Sequence, residues 1–408
     1  MNSEMGVEQC DCNVSDKEYK ADKLPEKVNE SIERIIKKEG YKDYKVLTRA
    51  ISTVGGNYFG SLYEVDVKGT TEDGEKETNI FVKGIVSGDH LTVMSVSGMF
   101  TMELFVYNEL SVIFNDIQNE AHIPMNERYN MVRSFQQSIP EAIILENVAR
   151  KGYKTGFRMD PVSLEFAQLS MQQLGKFHGL SFALENKRPE YFERKLKTIP
   201  FPMNFNDDFK GLLKNSAKAI SECLGDDASK KFNDYIPKLW NKMQHCLFDF
   251  KYKRTLVHGD YRANNILMKE IEGELTDVLP VDYQLLCYGC PIMDILFFVF
   301  LGTDQQFRKD HLEDLKDVYF DSLKKMLQYF DIDVKTVFPR EDFDSLYKEV
   351  LDYGIFCFMQ LMPFIFAIED EIPELDKDYL ADVVIKTDPR MKERARGIVD
   401  DFIQWGYL

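Results

Sequence analysis

Apolar and polar positions change their rhythm about a third of the way along the chain. Leu24, Val28, Ile32, Ile35 and Ile36 fall on one helical stripe with Lys and Glu opposite, which predicts an amphipathic helix stopped at Gly40. Beyond it the period shortens to two. Ser61-Leu-Tyr-Glu-Val-Asp-Val67 alternates as a half-buried strand, Thr71-Glu-Asp-Gly74 supplies turn residues, and Thr78-Asn-Ile-Phe-Val-Lys83 reads as the returning strand. Residues 99–114 revert to helical spacing through Phe100, Leu104, Tyr107 and Leu110, and 141–146 reads as a further strand. From about Pro161 onward helical patterns dominate, over 163–184, 209–225 and 229–251. One hairpin interrupts them, with strands at 266–269 and 276–281 around the turn Glu272-Gly-Glu274. The pattern predicts an α+β protein of two lobes around a cleft: an N-terminal antiparallel sheet with a helix, then a mainly α-helical C-terminal lobe. The expected boundaries are a loosely attached leader over 1–22, a first lobe over 23–148 and a second over 149–408.

Composition narrows the classes. The 408 residues are 44% hydrophobic and 29% charged, an ordinary globular balance with room for two or three core-forming units. A net charge of −17 with scattered Lys and Arg disfavours nucleic acid and anionic membranes as partners. The longest apolar stretch, 355–368, is too short to span a bilayer and predicts a core helix bent near Pro363. Seven cysteines make no disulfide framework on a chain of this size. Cys10-x-Cys12 and Cys287-x-x-Cys290 lack His partners at zinc-finger spacing, so reduced thiols are expected. The polar N-terminus has no apolar run and is not a secretory signal. A cytoplasmic monomer without membrane insertion is the expectation.

The chemistry concentrates in Leu256-Val-His-Gly-Asp-Tyr-Arg-Ala-Asn-Asn-Ile-Leu267, followed by Val281-Asp-Tyr-Gln284. An Asp with an Asn five positions on, and a second Asp beyond a short hairpin, is the spacing of a phosphoryl-transfer centre. Asp260 can accept the proton of an attacking hydroxyl. Asn265 and Asp282 offer hard oxygen ligands suited to the Mg2+ that bridges the phosphates of ATP. A Gly-Asp pair alone is an ordinary surface turn; the combination carries the reading. His258 is expected to support the loop as a buried ring. Arg262 either offsets charge on the transferred phosphoryl group or faces solvent.

Upstream, Val54-Gly-Gly-Asn-Tyr-Phe-Gly-Ser61 puts Gly55, Gly56 and Asn57 just before a strand. Glycine there lets backbone N–H groups approach phosphates, although the stretch also fits a plain turn. Lys83 ends the next strand and Glu103 lies on a helix twenty residues later, the pairing by which kinases fix the α- and β-phosphates. Leu145-Glu-Asn-Val148 closes the last strand of the first lobe, where the backbone at Glu146 and Val148 would meet an adenine edge. Asp294 opens an apolar helix and either caps it or braces the catalytic loop.

His258-Gly-Asp-x-x-x-x-Asn265, Val281-Asp-Tyr-Gln284, Leu174-Gly-Lys-Phe-His178 and Leu145-Glu-Asn-Val148 together resemble the ecdysteroid kinase-like (CHK kinase-like) proteins. These are abundant in insects and related to aminoglycoside phosphotransferases and choline kinases. The resemblance runs from about residue 41 to the end of the chain. It implies a bilobal protein-kinase-like fold, ATP and Mg2+ as cofactors, and phosphorylation of a small-molecule hydroxyl on an ecdysteroid or a foreign compound being detoxified. The expected site then comprises catalytic Asp260 and Arg262, metal-holding Asn265 and Asp282, and nucleotide-binding Gly55, Gly56, Asn57, Lys83, Glu103, Glu146 and Val148. The chain departs from the usual family pattern at Tyr261-Arg262, where Leu-Trp is general, at Tyr283 in place of Phe, and at Asn147 in place of an acidic residue.

Two other readings stand beside this one. The acidic run Glu369-Asp-Glu-Ile-Pro-Glu-Leu-Asp-Lys-Asp378 either attracts a cationic acceptor such as choline or an aminoglycoside, or is a solvated loop. A pseudokinase that binds a hormone without turnover is the other. The apolar runs 297–301 and 355–366 point toward an apolar acceptor, although such runs more often form core, and the presence of Lys83, Glu103, Asp260, Asn265 and Asp282 favours catalysis.

Overall fold

The computed structural model describes residues 23–51, 60–85, 92–248, 252–368, 381 and 384–408. The leader, Gly55, Gly56 and Asn57, and the acidic run 369–378 lie outside the described residues.

Helix α1 (Glu26–Lys38) precedes an antiparallel sheet of four strands in the order β1 (Asp43–Ile51), β2 (Gly60–Thr71), β3 (Gly74–Ile85), β4 (Ala142–Glu146). Strands β2 and β3 form a hairpin registered from Gly60↔Ile85 to Thr71↔Gly74. Val28, Ile32, Ile35 and Ile36 of α1 pack on Val65, Val67, Ile80, Val82 and Ile144, so the apolar stripe and the strand alternation close on each other. The same alternation sends Ile143 and Leu145 to the opposite face and into the main core.

Against that face runs α2 (Val96–Phe105), then a single π turn over Val106–Leu110, then α3 (Ser111–Glu120). Ser95 starts the helix by accepting the Gly98 N–H at 3.0 Å. The π turn re-phases the helix so that Glu103, Tyr107, Leu110 and Phe114 are all buried.

The second half contains β5 (Tyr153–Lys154), α4 (Leu164–Lys187), the one-turn α5 (Pro189–Tyr191), α6 (Asp207–Cys223) and α7 (Asp226–Phe248). Then come β6 (Thr255–Val257), β7 (Ile266–Ile271), β8 (Glu274–Pro280) and β9 (Cys287–Gly289). It closes with α8 (Ile292–Gly302), α9 (Gln305–Gln328), α10 (Val334–Val337), α11 (Arg340–Glu349), α12 (Tyr353–Ile365) and α13 (Arg390–Gln404). Strands β5, β7 and β8 form one small sheet, and β6 pairs with β9. The result is an α+β fold of two lobes, an N-terminal antiparallel sheet with its helices and a mainly helical remainder. Every residue of α8 is buried, as is all of α12 but Leu361, and Pro363 falls in the last turn of α12. Gly175 decides how closely α9 docks on α4, because a Cβ there would lie 2.5 Å from the Tyr319 carbonyl oxygen. Among the described residues no helix is long and apolar enough to cross a membrane.

Candidate active site

The candidate groups converge where the sheet meets the segments flanking β7 and β8. Lys83, near the end of β3, is buried, and its Nζ donates to Glu103 Oε2 of α2 at 2.7 Å and to Asp282 Oδ1 at 2.6 Å. It also donates to Gln284 Oε1 at 3.3 Å. One ammonium thus joins a strand and a helix of the first lobe to the segment after β8. Asp282 has φ 68° and ψ 61°, a left-handed backbone conformation uncommon for any residue with a side chain.

On the other side of the cluster Asn265 donates from Nδ2 to the Asp260 carbonyl at 3.0 Å and to its Oδ2 at 2.8 Å. Those two bonds fix the amide with its nitrogen toward Asp260, leaving Oδ1 as the atom available to a cation. Arg262 Nε lies 3.1 Å from Asp260 Oδ1, and its side chain is mostly buried rather than solvent-facing. Asn265 Oδ1 and the Asp282 carboxylate are hard donors of the kind magnesium takes alongside phosphate oxygens. Two such groups are a small set. Among the described residues no group of three or more His, Cys, Asp or Glu could hold a metal ion.

The loop carrying Asp260 is held from behind. Asp294, on the first turn of α8, accepts the backbone N–H groups of His258 at 2.7 Å and of Gly259 at 3.0 Å. Of the two roles open from sequence, it braces the loop. Gly259 is required here: φ is +80°, and a Cβ would sit 2.2 Å from the Leu285 carbonyl oxygen. His258 Nε2 bonds the Val281 carbonyl at 3.0 Å while Nδ1 faces the Asp260 N–H at 3.4 Å, so the ring is a neutral tautomer protonated on Nε2. Burial lowers its pKa against the pull of Asp294 and Asp260.

The charges are unevenly satisfied. Burial would lower Lys83, but the Asp282 and Glu103 carboxylates outweigh it and raise it, so the ammonium stays protonated. Asp282 is held low by Lys83 despite its burial. Two carboxylates around one cation leave a surplus negative charge. Burial and the Asp282 charge push Glu103 up, only partly countered by Lys83. Asp260 is also raised, first by burial, with Arg262 opposing and Asp282 adding to the rise.

Glu146 and Val148 flank the turn after β4. The Asn147 N–H donates to the Asn79 carbonyl at 2.9 Å, and the Asn147 amide donates to Glu64 Oε1 at 2.9 Å while accepting the Ala149 N–H at 3.1 Å. Glu146 pairs with Lys151 at 2.8 Å, and Val148 packs half-buried on the main core.

Several supporting groups escape sequence reading. Gln284 was visible as part of the Val-Asp-Tyr-Gln motif, but its approach to Lys83 was not. His178 bonds Asp294 Oδ2 through Nε2 at 3.1 Å and the Tyr319 hydroxyl through Nδ1 at 2.8 Å, and no local spacing signals that chain. The Tyr129 and Tyr283 hydroxyls meet at 2.5 Å from positions 154 residues apart.

A family model described as the ecdysteroid kinase-like family matches residues 54–332. No curated protein matches the sequence significantly. Among solved structures, an ethanolamine kinase of Plasmodium vivax is 12% identical with a TM-score of 0.42, over 89% of this chain and 83% of that one. An aminoglycoside phosphotransferase from Streptomyces rimosus is 11% identical with a TM-score of 0.36, over 74% and 97%. A glucosamine kinase solved with glucosamine, ADP and inorganic phosphate is 12% identical with a TM-score of 0.39, over 89% and 83%.

Proposed function

Because the chain belongs to the ecdysteroid kinase-like family, we propose that it is an ATP- and magnesium-dependent small-molecule kinase acting on a hydroxyl of an ecdysteroid or a similarly apolar compound. Residues 23–148 form the nucleotide-binding lobe of this reading and 149–408 the catalytic and acceptor-binding lobe. When bound, magnesium and ATP would supply the transferable phosphoryl group and the counter-charge that makes it electrophilic. Asn265 Oδ1 and the Asp282 carboxylate would hold the metal, and Lys83 would pass from Asp282 to the α- and β-phosphates while Glu103 keeps its ammonium in place. The backbone at Glu146 and Val148 would receive the adenine.

Asp260 orients the acceptor hydroxyl and takes its proton as the new O–P bond forms and the bond to the ADP oxygen breaks. Arg262 favours the ionised form of Asp260 against burial and would meet charge on the transferred group. The observation that carries this reading is the Lys83 bridge between Glu103 and Asp282, with the Asp260–Asn265 pair beside it.

The deciding experiment incubates the purified protein with labelled ATP, magnesium and a panel of hydroxylated steroids, plant metabolites and ammonium alcohols. Label transfer to an apolar alcohol is expected. Transfer only to choline- or aminoglycoside-like acceptors would replace the acceptor class. Nucleotide binding without transfer to any acceptor would replace catalysis with a sequestering role.

A further inference from the structure

Tyr283 directly follows the left-handed Asp282 and is fully buried. Its ring meets His258 of the catalytic loop at 4.6 Å, Tyr107 of the helix bearing Glu103 at 5.7 Å and Phe177 of α4 at 6.1 Å. Rings of this kind hold position by packing, and a phenylalanine would pack equally well. The hydroxyl is the additional group. It donates to the Pro280 carbonyl at 3.3 Å and so accepts from the Tyr129 hydroxyl at 2.5 Å.

Tyr129 is itself clamped. Its backbone N–H donates to Gln118 Oε1 at 2.9 Å, and its carbonyl accepts from Gln118 Nε2 at 3.2 Å. Gln118 is completely buried on α3, which continues through the π turn from the helix that holds Glu103. The contact therefore ties the segment that carries Asp282, through its neighbour Tyr283, to α3, the continuation of the helix that carries Glu103, through Tyr129 and Gln118.

We infer that the paired hydroxyls of Tyr129 and Tyr283 are a latch that holds Asp282 in its strained, metal-facing conformation and sets its distance from the Glu103 helix. The two tyrosines are positioning residues in this view. Relaxing the Asp282 backbone would swing Tyr283 and break two buried hydrogen bonds, stranding the Tyr129 hydroxyl away from water. The inference rests on the kinase reading, because it assigns Asp282 to the metal.

The test uses the full chain and needs no acceptor. Tyr283→Phe, Tyr129→Phe, the double variant and Tyr41→Phe are compared for Tm and for calorimetric affinity toward the β,γ-imido analogue of ATP, with and without magnesium. Tyr41 is the control: its buried hydroxyl bonds the Val67 carbonyl and Thr78 on the far side of the sheet. Each single latch variant should weaken magnesium-dependent binding about 5- to 30-fold, the effect of losing one satisfied buried hydrogen bond, while leaving metal-free binding within about twofold. The double variant should be no weaker than the worse single, since neither hydroxyl is then stranded. Tyr41→Phe should lower Tm without moving the magnesium dependence. Latch variants that bind the magnesium complex as the natural chain does, whatever their Tm, would overturn the latch alone. A natural chain that fails to bind the analogue with magnesium would overturn the kinase reading and the latch with it.

Discussion

Two buried cations in this molecule are paired in opposite ways. Lys83 faces two carboxylates, Glu103 at 2.7 Å and Asp282 at 2.6 Å, contributed by elements from both lobes. Arg308 of α9 faces one, Asp401 of α13 at 2.6 Å, and its Nη1 donates to the Thr303 carbonyl at 2.8 Å. In the arginine pair burial wins: it pushes Arg308 down and Asp401 up, each toward its neutral form. In the lysine cluster attraction wins for Lys83 and Asp282, and the excess negative charge is felt at Glu103. The arginine pair locks α9 to α13, and buried Arg394 donates to the same Thr303 carbonyl at 2.7 Å, so carboxylates are not in excess there. A cation with one carboxylate too many can release that carboxylate to another cation, which suits the magnesium uptake proposed for this site.

The sharpest way to break the comparison is Asp260→Asn. Under the kinase reading kcat should fall by about 10²- to 10⁴-fold. The sign of its stability effect is also fixed. Asp260 has a folded pKa raised above its unfolded value, so the folded state binds the extra proton. Its contribution to stability is therefore lost as pH rises from the ordinary Asp range through the raised value, and at neutral pH the ionised group opposes folding. The asparagine variant should accordingly melt no lower than the natural chain at pH 7. Retained turnover would remove Asp260 from its role, and a marked drop in Tm would contradict the direction of its shift.

Asp401→Ala is the converse. Stranding the Arg308 charge should cost roughly 3 kcal/mol of stability, read by chemical denaturation, while turnover per folded molecule stays unchanged. A large change in turnover would show that the two regions are not independent.

Arg262→Gln sharpens the electrostatic half of the comparison. Arg262 lowers the pKa of Asp260 against burial, so its removal should move the acid limb of the kcat/KM–pH profile to higher pH. A limb that stays in place would assign that limb to another group.

The smallest effect is expected at the turn after β4. Asn147→Asp exchanges the donor that Glu64 accepts for a second carboxylate, which should raise the KM for ATP by about fivefold or less with kcat unchanged. An unaltered KM would detach this turn from nucleotide binding.

Much of the scaffold was readable because its signals are local. The stripe of α1, the β2–β3 hairpin and the β7–β8 hairpin follow from periods of 3.6 and 2 and from turn residues. Strand β1 offered no such signal. It is an edge strand whose Tyr44, Val46 and Leu47 are exposed, so burial does not alternate along it. The site divides in the same way. The Asp260–Asn265 contact spans five residues and was legible as spacing, whereas the His178–Tyr319 support and the Tyr129–Tyr283 contact join residues 141 and 154 positions apart.

The sequence by itself determined which polar groups the chain has to work with and the short spacings that put Asp260, Asn265 and the glycine before them on one loop. Only the tertiary structure decided that Lys83 would find Asp282, 199 residues away, as well as Glu103. The physical reason is that an ion pair depends on separation and on the exclusion of water, and both are set where two lobes pack rather than along any stretch of chain.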